Sequence, residues 1–376
     1  MRIVSETALK PLGRFVTMFL TLAWSGVLVA PHAGAGGALE RIGRMHEMRA
    51  SHTATVLPNG KLLIVGGFKK VHTFGQEYSN TAELYDPHTR SFAPVGTLKV
   101  ARCGHTATLL ESGEVLIVGG SNGQLLSSAE LYDSRKGVFT LIGGMSVARE
   151  GHTATLLKNG NVLIVGGCND SVHDAELFNT KGQRFETTGK MSTRRFAHTA
   201  TLLLNGKVLV TGGSDDLRRN RKVLATAEVY DPEEGTFTLS GSMSFARYKH
   251  AAVLLSDGRV LIAGGSDERD WQGQLNSAES YDTNHGEFTR TQDMQAKRFK
   301  LPHGVTLLKD GTVLLSGGSK CVELFEPAAG TFAEVARFDE PHFYQTATLL
   351  PDGTILIAGG YNDQPQSTDQ AWVYQR

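Results

Sequence analysis

The sequence predicts an all-β fold, a seven-bladed β-propeller, and three observations lead to this prediction. Glycine accounts for 43 of the 376 residues while proline accounts for only 11, a balance that favours many tight turns. Apolar runs end in a Gly-Gly pair seven times, at a spacing of about 49 residues. Nothing in the repeated unit has sustained helical periodicity. The seven pairs are Gly66-Gly67, Gly119-Gly120, Gly166-Gly167, Gly212-Gly213, Gly264-Gly265, Gly317-Gly318 and Gly359-Gly360.

Each repeat contains two predicted β-hairpins. The first appears in RCGHTATLLESGEVLIVGG at 102–120, where Ser-Gly separates two apolar runs and accepts the positive φ of a tight turn. The second appears in AELYDSRKGVFTLIGGM at 129–145, where phenylalanine follows an aromatic residue after seven positions. Four strands cannot bury both faces of their sheet alone, and radial stacking of such units gives a propeller. The six aromatic pairs are Tyr85/Phe92, Tyr132/Phe139, Phe178/Phe185, Tyr230/Phe237, Tyr281/Phe288 and Phe325/Phe332.

The two ends of the repeat region predict how the ring of blades closes. The last repeat, 342–376, stops after its third strand, and the stretch ALERIGRM at 38–45 aligns with the fourth strands of the other repeats. Leu39 lies six residues before Met45, the same spacing as in those strands. We therefore expect strand 38–45 to complete blade 7 and so remove the exposed sheet edges. The propeller domain is assigned to residues 36–376.

The N-terminal segment has the pattern of a secretory signal peptide. Basic residues precede an uncharged apolar stretch at 15–30, and Ala33-Gly34-Ala35 supplies a cleavage pattern of small residues. The apolar stretch is shorter than the roughly 20 residues that a membrane-spanning helix needs. We expect residues 1–35 to be removed and the protein to be exported, to the periplasm or the extracellular space, without a stable membrane anchor. The alternative is an uncleaved anchor.

Composition excludes several partners and cofactors. Lysine plus arginine equals aspartate plus glutamate at 38 each, so the basic excess of a generic nucleic-acid-binding protein is missing. Cys103, Cys168 and Cys321 are odd in number and match no metal-binding spacing. We expect them to be small buried residues, and we expect a monomer with no cofactor and no metal.

With these motifs the chain resembles the bacterial kelch-repeat propellers, within the superfamily of galactose oxidase. The resemblance rests on the Gly-Gly doublet after an apolar strand, on the aromatic pair that follows it, and on the phrase HTATLLxxGxVLIxGG, and it covers 38–376. One feature departs from the family pattern, because the usual Tyr…Trp pair is Tyr…Phe here. The resemblance implies a seven-bladed propeller, a scaffold that hosts enzymes and binding proteins alike.

The loops that follow the Gly-Gly pairs vary in length, and we expect ligand binding on their face. Variable loops on a rigid scaffold are the usual place for binding sites. The long loops span 68–80, 214–225, 266–276 and 361–369. Aromatic rings stack on sugars and arginine matches carboxylates, which predicts a protein or glycan ligand. The candidate ligand-binding residues are Phe74, Tyr78, Arg218, Arg219, Trp271 and Tyr361.

Two charged residues recur in blades 1 to 6. Arginines stand before the innermost strand at Arg49, Arg102, Arg149, Arg195, Arg247 and Arg298. Glutamates stand two residues before the aromatic at Glu83, Glu130, Glu176, Glu228, Glu279 and Glu323. In blade 7 both are lost together, to His342 and Trp372, which favours structural pairing between arginine and glutamate. The alternative is a free anion-binding ring of arginines.

A histidine also recurs, and we expect a structural role for it. Equivalent positions on successive blades diverge around a ring, whereas metal ligands must converge within about 2.1 Å of one ion. Each histidine is expected to bond to a neighbouring blade, for instance to its backbone, and Gln345 can do the same in blade 7. The six histidines are His52, His105, His152, His198, His250 and His303.

Two functions follow as alternatives. The first is a non-catalytic module that binds a protein or glycan through the variable loops. The second is an enzyme at the channel mouth, either of the sialic acid mutarotase type or, less favoured, a galactose oxidase-like oxidoreductase. No catalytic residue is assigned, because no nucleophile elbow, zinc motif or phosphate loop is found. The most divergent cluster for the second alternative lies in blade 7, at His342, Tyr344, Tyr361 and Trp372.

Overall fold

The computed structural model describes residues 37–72, 75–168, 174–216 and 221–376. The predicted signal peptide, residues 1–35, lies outside this part of the chain. Among the described residues, no helix combines the length and the apolar character needed to cross a membrane.

Seven four-stranded antiparallel sheets form the blades of a propeller, as the repeat predicts. The first strands in the chain are β1 (Ala38–Arg44) and, in blade 1, β2 (Thr53–Val56), β3 (Leu62–Val65), β4 (Phe68–His72), β5 (Gly75–Tyr78), β6 (Thr81–Asp86) and β7 (Ser91–Thr97). Blade 2 has β8 (Thr106–Leu109), β9 (Val115–Val118), β10 (Ala129–Asp133) and β11 (Val138–Ile142). Blade 3 has β12 (Thr153–Leu156), β13 (Val162–Val165), β14 (Asp174–Asn179) and β15 (Arg184–Lys190).

The remaining blades repeat the same order of strands. Blade 4 has β16 (Thr199–Leu202), β17 (Val208–Thr211), β18 (Thr226–Asp231) and β19 (Thr236–Ser242). Blade 5 has β20 (Ala251–Leu254), β21 (Val260–Ala263), a 3-10 turn (Asp270–Gln272), β22 (Ala278–Asp282) and β23 (Glu287–Arg290). Blade 6 has β24 (Val305–Leu307), β25 (Val313–Leu315), β26 (Cys321–Glu326) and β27 (Thr331–Arg337), and blade 7 has β28 (Thr346–Leu349), β29 (Ile355–Ala358) and β30 (Gln370–Gln375).

Burial along the strands explains the sequence pattern within a blade. The second strand, such as β9 with the sequence VLIV, is buried at every position because other blades cover both of its faces. The predicted aromatic pair lies directly across the outer two strands. Tyr132 is the cross-strand partner of Phe139, and their ring centroids are 4.7 Å apart. Such a pair stabilises the edge of the blade by roughly 0.5–1.5 kcal/mol beyond its buried area.

The N-terminal strand closes the ring, as the sequence predicts. Strand β1 runs antiparallel to β30 at the outer edge of blade 7, and Leu39 lies opposite Tyr374. Leu39 therefore occupies the place that phenylalanine holds in other blades.

Apolar contacts between neighbouring blades form the core. Leu63 and Val65 of β3 pack against Val115 and Ile117 of β9, and all four side chains are fully buried. Each such side chain contributes on the order of 1.5–3 kcal/mol of transfer free energy. The interior is thus a series of interfaces between blades, which holds the central strands at fixed positions around a channel.

The connections between strands lie on two faces. The turns between the first and second strands and between the third and fourth strands form the turn face. The loops after the second strands and the links into the next blade form the loop face. Two loops contain structure that the sequence analysis did not predict. Part of 68–80 forms the hairpin β4–β5, which a bridge from Lys70 to Gln366 joins to blade 7, and 266–276 contains the 3-10 turn.

Candidate ligand site at the loop face

Seven backbone hydrogen bonds form a closed ring around the channel at the loop face, here called the mouth ring. Each blade contributes the residue two positions after its arginine or, in blade 7, after His342. Its N–H donates to the C=O of the equivalent residue in the previous blade over 2.8 to 3.3 Å, and all seven residues have φ between 50° and 63°. The members are Ser51, Gly104, Gly151, Ala197, Lys249, Lys300 and Tyr344. The left-handed conformation costs non-glycine residues roughly 1 kcal/mol each, so the ring holds their side chains in directions they would not otherwise adopt.

The mouth ring has a small-residue half and a large-residue half. Blades 1 to 4 contribute serine, two glycines and alanine, whereas blades 5 to 7 contribute two lysines and a tyrosine. The preceding position also differs between blades, and it is aromatic from blade 4 onwards: Ala50, Cys103, Glu150, Phe196, Tyr248, Phe299 and Phe343. The site is therefore asymmetric although the scaffold is a regular repeat.

A cavity of about 680 Å³ opens within the mouth ring and continues between the innermost strands. This volume lies in the usual range for small-molecule sites. Glu150, Lys249 and Tyr344 line its upper part, while small side chains such as Ala54 and Thr106 line it below. The functional groups thus meet at the entrance of the cavity.

Aromatic side chains from blades 5 to 7 pack together beside the mouth ring, next to the cavity-lining Lys249 and Tyr344. The indole of Trp271 packs edge-on against Phe299 and Phe343, with ring centroids 4.7 and 4.9 Å apart. Lys300 Nζ lies 4.0 Å from the centroid of the Trp271 ring and donates a hydrogen bond of 2.6 Å to the hydroxyl of Tyr361. Trp271 itself is 41% exposed, so this cluster offers an accessible aromatic ring above a buried ammonium group.

Lys249 is the second cation at the entrance, and it has a carboxylate partner. Its Nζ lies 3.1 Å from Asp270 Oδ1 and donates to the hydroxyl of Tyr248 over 3.3 Å. Arg221 approaches the other oxygen of Asp270 at 3.7 Å. Burial lowers the pKa of Lys249, and the charge of Asp270 opposes that shift. Asp270 is therefore the shared carboxylate partner of Lys249 and Arg221. Two positive charges face one negative charge, so the net charge on this side of the entrance is positive.

Glu150 stands in the small-residue half without a partner. Neither a hydrogen bond nor an ion pair joins its carboxyl group to any residue that the structure describes. Burial raises the pKa of Glu150 to about 7. A side chain on Gly104 would place its Cβ 2.8 Å from Glu150 Oε1, so glycine at this position makes room for the carboxyl group. A half-buried carboxyl with a pKa near neutrality can accept or donate a proton.

The structure places the six predicted ligand-binding residues unevenly. Phe74, Arg218 and Arg219 lie outside the described residues. Trp271 lies at the rim, as just described. Tyr361 is only 7% exposed, so its hydroxyl serves Lys300. Tyr78 is half-buried beside the apolar cluster of Phe68 and Cys103.

The sequence analysis missed three functional groups at the entrance: Glu150, Lys249 and Lys300. A signal for them was present. The two residues after the arginine, or after His342 in blade 7, differ strongly from repeat to repeat, and they hold all three groups.

The recurring arginines and glutamates lie against each other away from the channel. In each of blades 1 to 6 the Nη2 atom of arginine is 2.7 to 3.0 Å from a glutamate Oε1. The arginines are at most 1% exposed, so they do not present an anion-binding ring. In blade 2, Arg102 also donates to the carbonyls of Gly119 and Ser128, and Glu130 accepts from the amides of Lys99 and Val100. The pair thus joins the interblade link to the ends of two strands.

Blade 7 fills this position with aromatic rings. His342 and Trp372 replace the ion pair, their centroids are 4.8 Å apart, and Phe338 packs on both. Burial lowers the pKa of His342 to about 4. The divergent cluster suggested by the sequence is therefore two separate sets, because Tyr344 and Tyr361 lie at the entrance whereas His342 and Trp372 belong to the packing of the blade.

Five histidines form a belt between blades, here called the histidine belt. Each Nε2 shares a hydrogen bond of 2.9 to 3.1 Å with a threonine hydroxyl of the previous blade, rather than with backbone as suggested above. The pairs are His52–Thr346, His105–Thr53, His152–Thr106, His198–Thr153 and His250–Thr199. His303 does not join them, because Ala251 stands where its threonine partner would be, and its side chain lines the channel. In blade 7, Gln345 donates to Ser316 over 2.9 Å.

Fold and site together define a class of protein: a seven-bladed propeller with a cavity that opens at its loop face. The Kelch motif family matches residues 48–99, 101–146, 195–244 and 247–295, more than half of the chain, and the chain therefore belongs to that family. Among curated proteins, no sequence matches it.

Solved structures share the fold. In all, 1168 chains match, and one is a fungal alcohol oxidase of the AA5 family in complex with copper. It is 17% identical, with a TM-score of 0.73 over 90% of this chain and 76% of the oxidase. At this identity the likeness shows the fold alone. Among the residues that the structure describes, no group of three or more His, Cys, Asp or Glu side chains could hold a metal ion.

Proposed function

We propose that this chain is an exported, non-catalytic binding protein that takes an acidic glycan at the entrance of its loop-face cavity. The observation that carries the proposal is the asymmetric entrance, where Lys249 lines the cavity, the exposed indole of Trp271 packs with Lys300 beside it, and the small-residue half leaves the cavity open. The N-terminal pattern at 1–35 supports export. Mass spectrometry of the mature protein from the culture or periplasm is the direct check, with a first residue close to 36.

Physical chemistry favours a glycan over a flat protein surface as the ligand. Trp271 presents a rigid ring with a large contact area, and a cavity of about 680 Å³ accommodates one or two sugar rings better than a broad interface. Lys249 and Lys300 lie behind that ring, while Asp270 is shared between Lys249 and Arg221. Lys249 and Arg221 outnumber that single carboxylate, and this surplus of positive charge selects a carboxylate on the sugar. A protein ligand carrying acidic side chains is the alternative.

Trp271→Ala is expected to weaken glycan binding by about tenfold or more, because the ring is the exposed aromatic anchor of the site. The measurement is a glycan array with the mature protein, followed by calorimetric titration of the best acidic glycan. Leu204→Ala is the matched control, since Leu204 is a 65% exposed apolar side chain in a turn on the opposite face. If the wild type and the Trp271 variant are both folded and bind the glycan with equal affinity, the binding site does not lie on the loop face.

A catalytic function on a sugar acid is the second candidate, and Glu150 is the observation that favours it. An unpartnered carboxyl with a pKa of about 7 at a cavity entrance suits proton transfer to or from a bound sugar. The two candidates share the same ligand class and differ only in whether turnover occurs.

If Glu150 is a general base, anomeric exchange of a sialic acid should be accelerated by the protein, and the rate should rise with pH through about 7 as the carboxyl ionises. Exchange is measured by NMR, and Glu150→Gln should lose about a hundredfold or more of the acceleration. His342→Ala is the comparison, because its ring is buried away from the entrance. If the wild-type protein does not accelerate the exchange, the catalytic candidate is rejected and only the binding function is retained.

A further inference from the structure

Lys300 has an environment that differs from that of every other lysine described here. It precedes the first strand of blade 6, has φ 57°, and is tied into the mouth ring on both sides. Its N–H donates to the carbonyl of Lys249, and its own carbonyl accepts from Tyr344. The side chain is 7% exposed. The backbone therefore fixes a lysine whose amine is directed away from bulk solvent.

Four aromatic rings enclose the amine. The centroids of Trp271, Phe299, Tyr361 and Phe343 lie 4.0, 4.8, 5.3 and 5.9 Å from Lys300 Nζ. The hydroxyl of Tyr361 accepts its one hydrogen bond to a described residue. An ammonium group has three N–H donors, so two of them face ring carbon rather than an acceptor.

No carboxylate within the described residues forms an ion pair with Lys300. The nearest acidic group that acts on it, Asp270, is taken by Lys249 and Arg221. Three elements face the amine with titratable groups: the link before β20 with Lys249, the 3-10 turn with Asp270, and the blade 7 loop with Tyr361. Burial, with the charge of Lys249, lowers the pKa of Lys300 to about 7. The neutral amine is therefore well populated near neutral pH.

We propose that Lys300 is a nucleophilic amine that forms an imine with the aldehyde or ketone group of a ligand at the entrance. The box of rings, the single bond to Tyr361 and the adjoining cavity carry this inference. The proposal rests on the proposed function in one respect: the carbonyl belongs to the open-chain form of a sugar acid or to a keto acid, whose carboxylate Lys249 attracts.

The reaction is balanced by the groups present. The lone pair of Nζ attacks the carbonyl carbon, a C–N bond forms, and the carbonyl oxygen takes a proton. Tyr361 lies 2.6 Å from Nζ and can relay the proton from nitrogen to that oxygen. Loss of one water from the carbinolamine gives the C=N bond, so amine plus carbonyl yields imine plus water.

Access to the amine runs past Trp271. Its indole lies on the 3-10 turn, a short surface segment, and is 41% exposed. Lys249 and Tyr344, the neighbours of Lys300 in the mouth ring, line the cavity. Trp271 covers Nζ from the solvent side, so a small carbonyl compound can reach the amine when the exposed indole shifts.

The test is reductive trapping with glyoxylate, the smallest aldehyde that carries a carboxylate, and cyanoborohydride, followed by peptide mass mapping. We expect one carboxymethyl group on Lys300 at low glyoxylate, at least tenfold more than on any exposed lysine, with half-maximal labelling near pH 7. Lys300→Arg should abolish it. Lys181→Arg, on the opposite face and exposed, should leave it unchanged.

A second variant separates positioning from reactivity. Tyr361→Phe keeps the ring but removes the hydroxyl, and we expect slower labelling of Lys300 with its site unchanged. Labelling spread evenly over surface lysines, or sparing Lys300, would overturn the proposal. Glycan affinity is measured on the same samples without reductant. If trapping fails but binding still depends on Trp271, the imine proposal is overturned while the proposed binding function stands.

Discussion

Glu130→Ala is expected to lower the free energy of unfolding by about 3–5 kcal/mol. The guanidinium of Arg102 is completely buried, and Glu130 Oε1 is its carboxylate partner at 3.0 Å. Removing the glutamate leaves that charge without compensation. It also leaves the amides of Lys99 and Val100 without their acceptor, and orphaned donors add to the loss. Chemical denaturation at neutral pH measures the change.

Two further variants separate the ion pair from simple truncation. Glu234→Ala removes an exposed glutamate from a surface turn and should stay within about 0.5 kcal/mol of the wild type. Arg102→Met with Glu130→Leu removes both charges, and the double variant should be more stable than Glu130→Ala because no unpaired charge stays buried. A Glu130→Ala protein as stable as the wild type would refute structural pairing.

The second large effect is loss of stability in mild acid. Burial lowers the pKa of His52, His152 and His198 to about 3 and places the pKa of His105 and His250 well below its usual value. The folded protein therefore keeps these rings neutral while the unfolded chain binds protons below about pH 6.5. The stabilisation is complete above pH 6.5 and is lost progressively as the pH falls towards 3.

The size of this effect follows from the number of histidines. Each one contributes up to about 1.4 kcal/mol per pH unit below its unfolded pKa, so the five belt histidines together contribute at most roughly 7 kcal/mol per unit. Burial also lowers the pKa of His303 and His342, and both add to the effect. Since domains are typically stable by about 5–15 kcal/mol, we expect unfolding at 25 °C between about pH 4 and pH 5.5. Denaturation curves at several pH values give the slope. An unfolding free energy that is constant from pH 7 to pH 5 would contradict the prediction.

Blade 7 supplies the matched variant for this experiment. Gln345 occupies the position of a belt histidine and donates to Ser316 without titrating. His198→Gln should therefore keep a hydrogen bond to Thr153 while reducing the acid slope by about one proton. His88→Gln is the control, because His88 is exposed in a surface turn and its replacement should leave that slope unchanged.

Much of the scaffold could be predicted because its signals are local and repeated. Strand pairing within a blade joins residues a few positions apart, as for Tyr132 and Phe139, so the hairpin pattern predicts the register. Closure by β1 followed from a missing strand at one end and a spare strand at the other. The joint loss of arginine and glutamate in blade 7 pointed to their proximity, which the six buried pairs display.

The hydrogen-bond partners that lie in neighbouring blades could not be predicted from the sequence in the same way. Four of the belt histidines bond to threonine side chains 45 to 52 residues away, and His52 bonds to Thr346 across the closure of the ring. Nothing in a single repeat says which group of the neighbouring blade each histidine will contact. His303 illustrates this, because its own repeat has the histidine while Ala251 of the previous blade lacks the hydroxyl.

The sequence by itself determined the architecture: seven blades, their strand order, their closure, and the face on which variable loops gather. The high glycine content of the sequence indicated repeated tight turns of the backbone. Only the tertiary structure decided the site, because the mouth ring brings together single residues from seven repeats through backbone bonds that no side-chain pattern encodes. That arrangement places Lys300 among four rings and leaves the carboxyl group of Glu150 without a hydrogen-bond or ion-pair partner among the described residues. Burial, and not residue type, then adjusts the pKa of both groups to about 7.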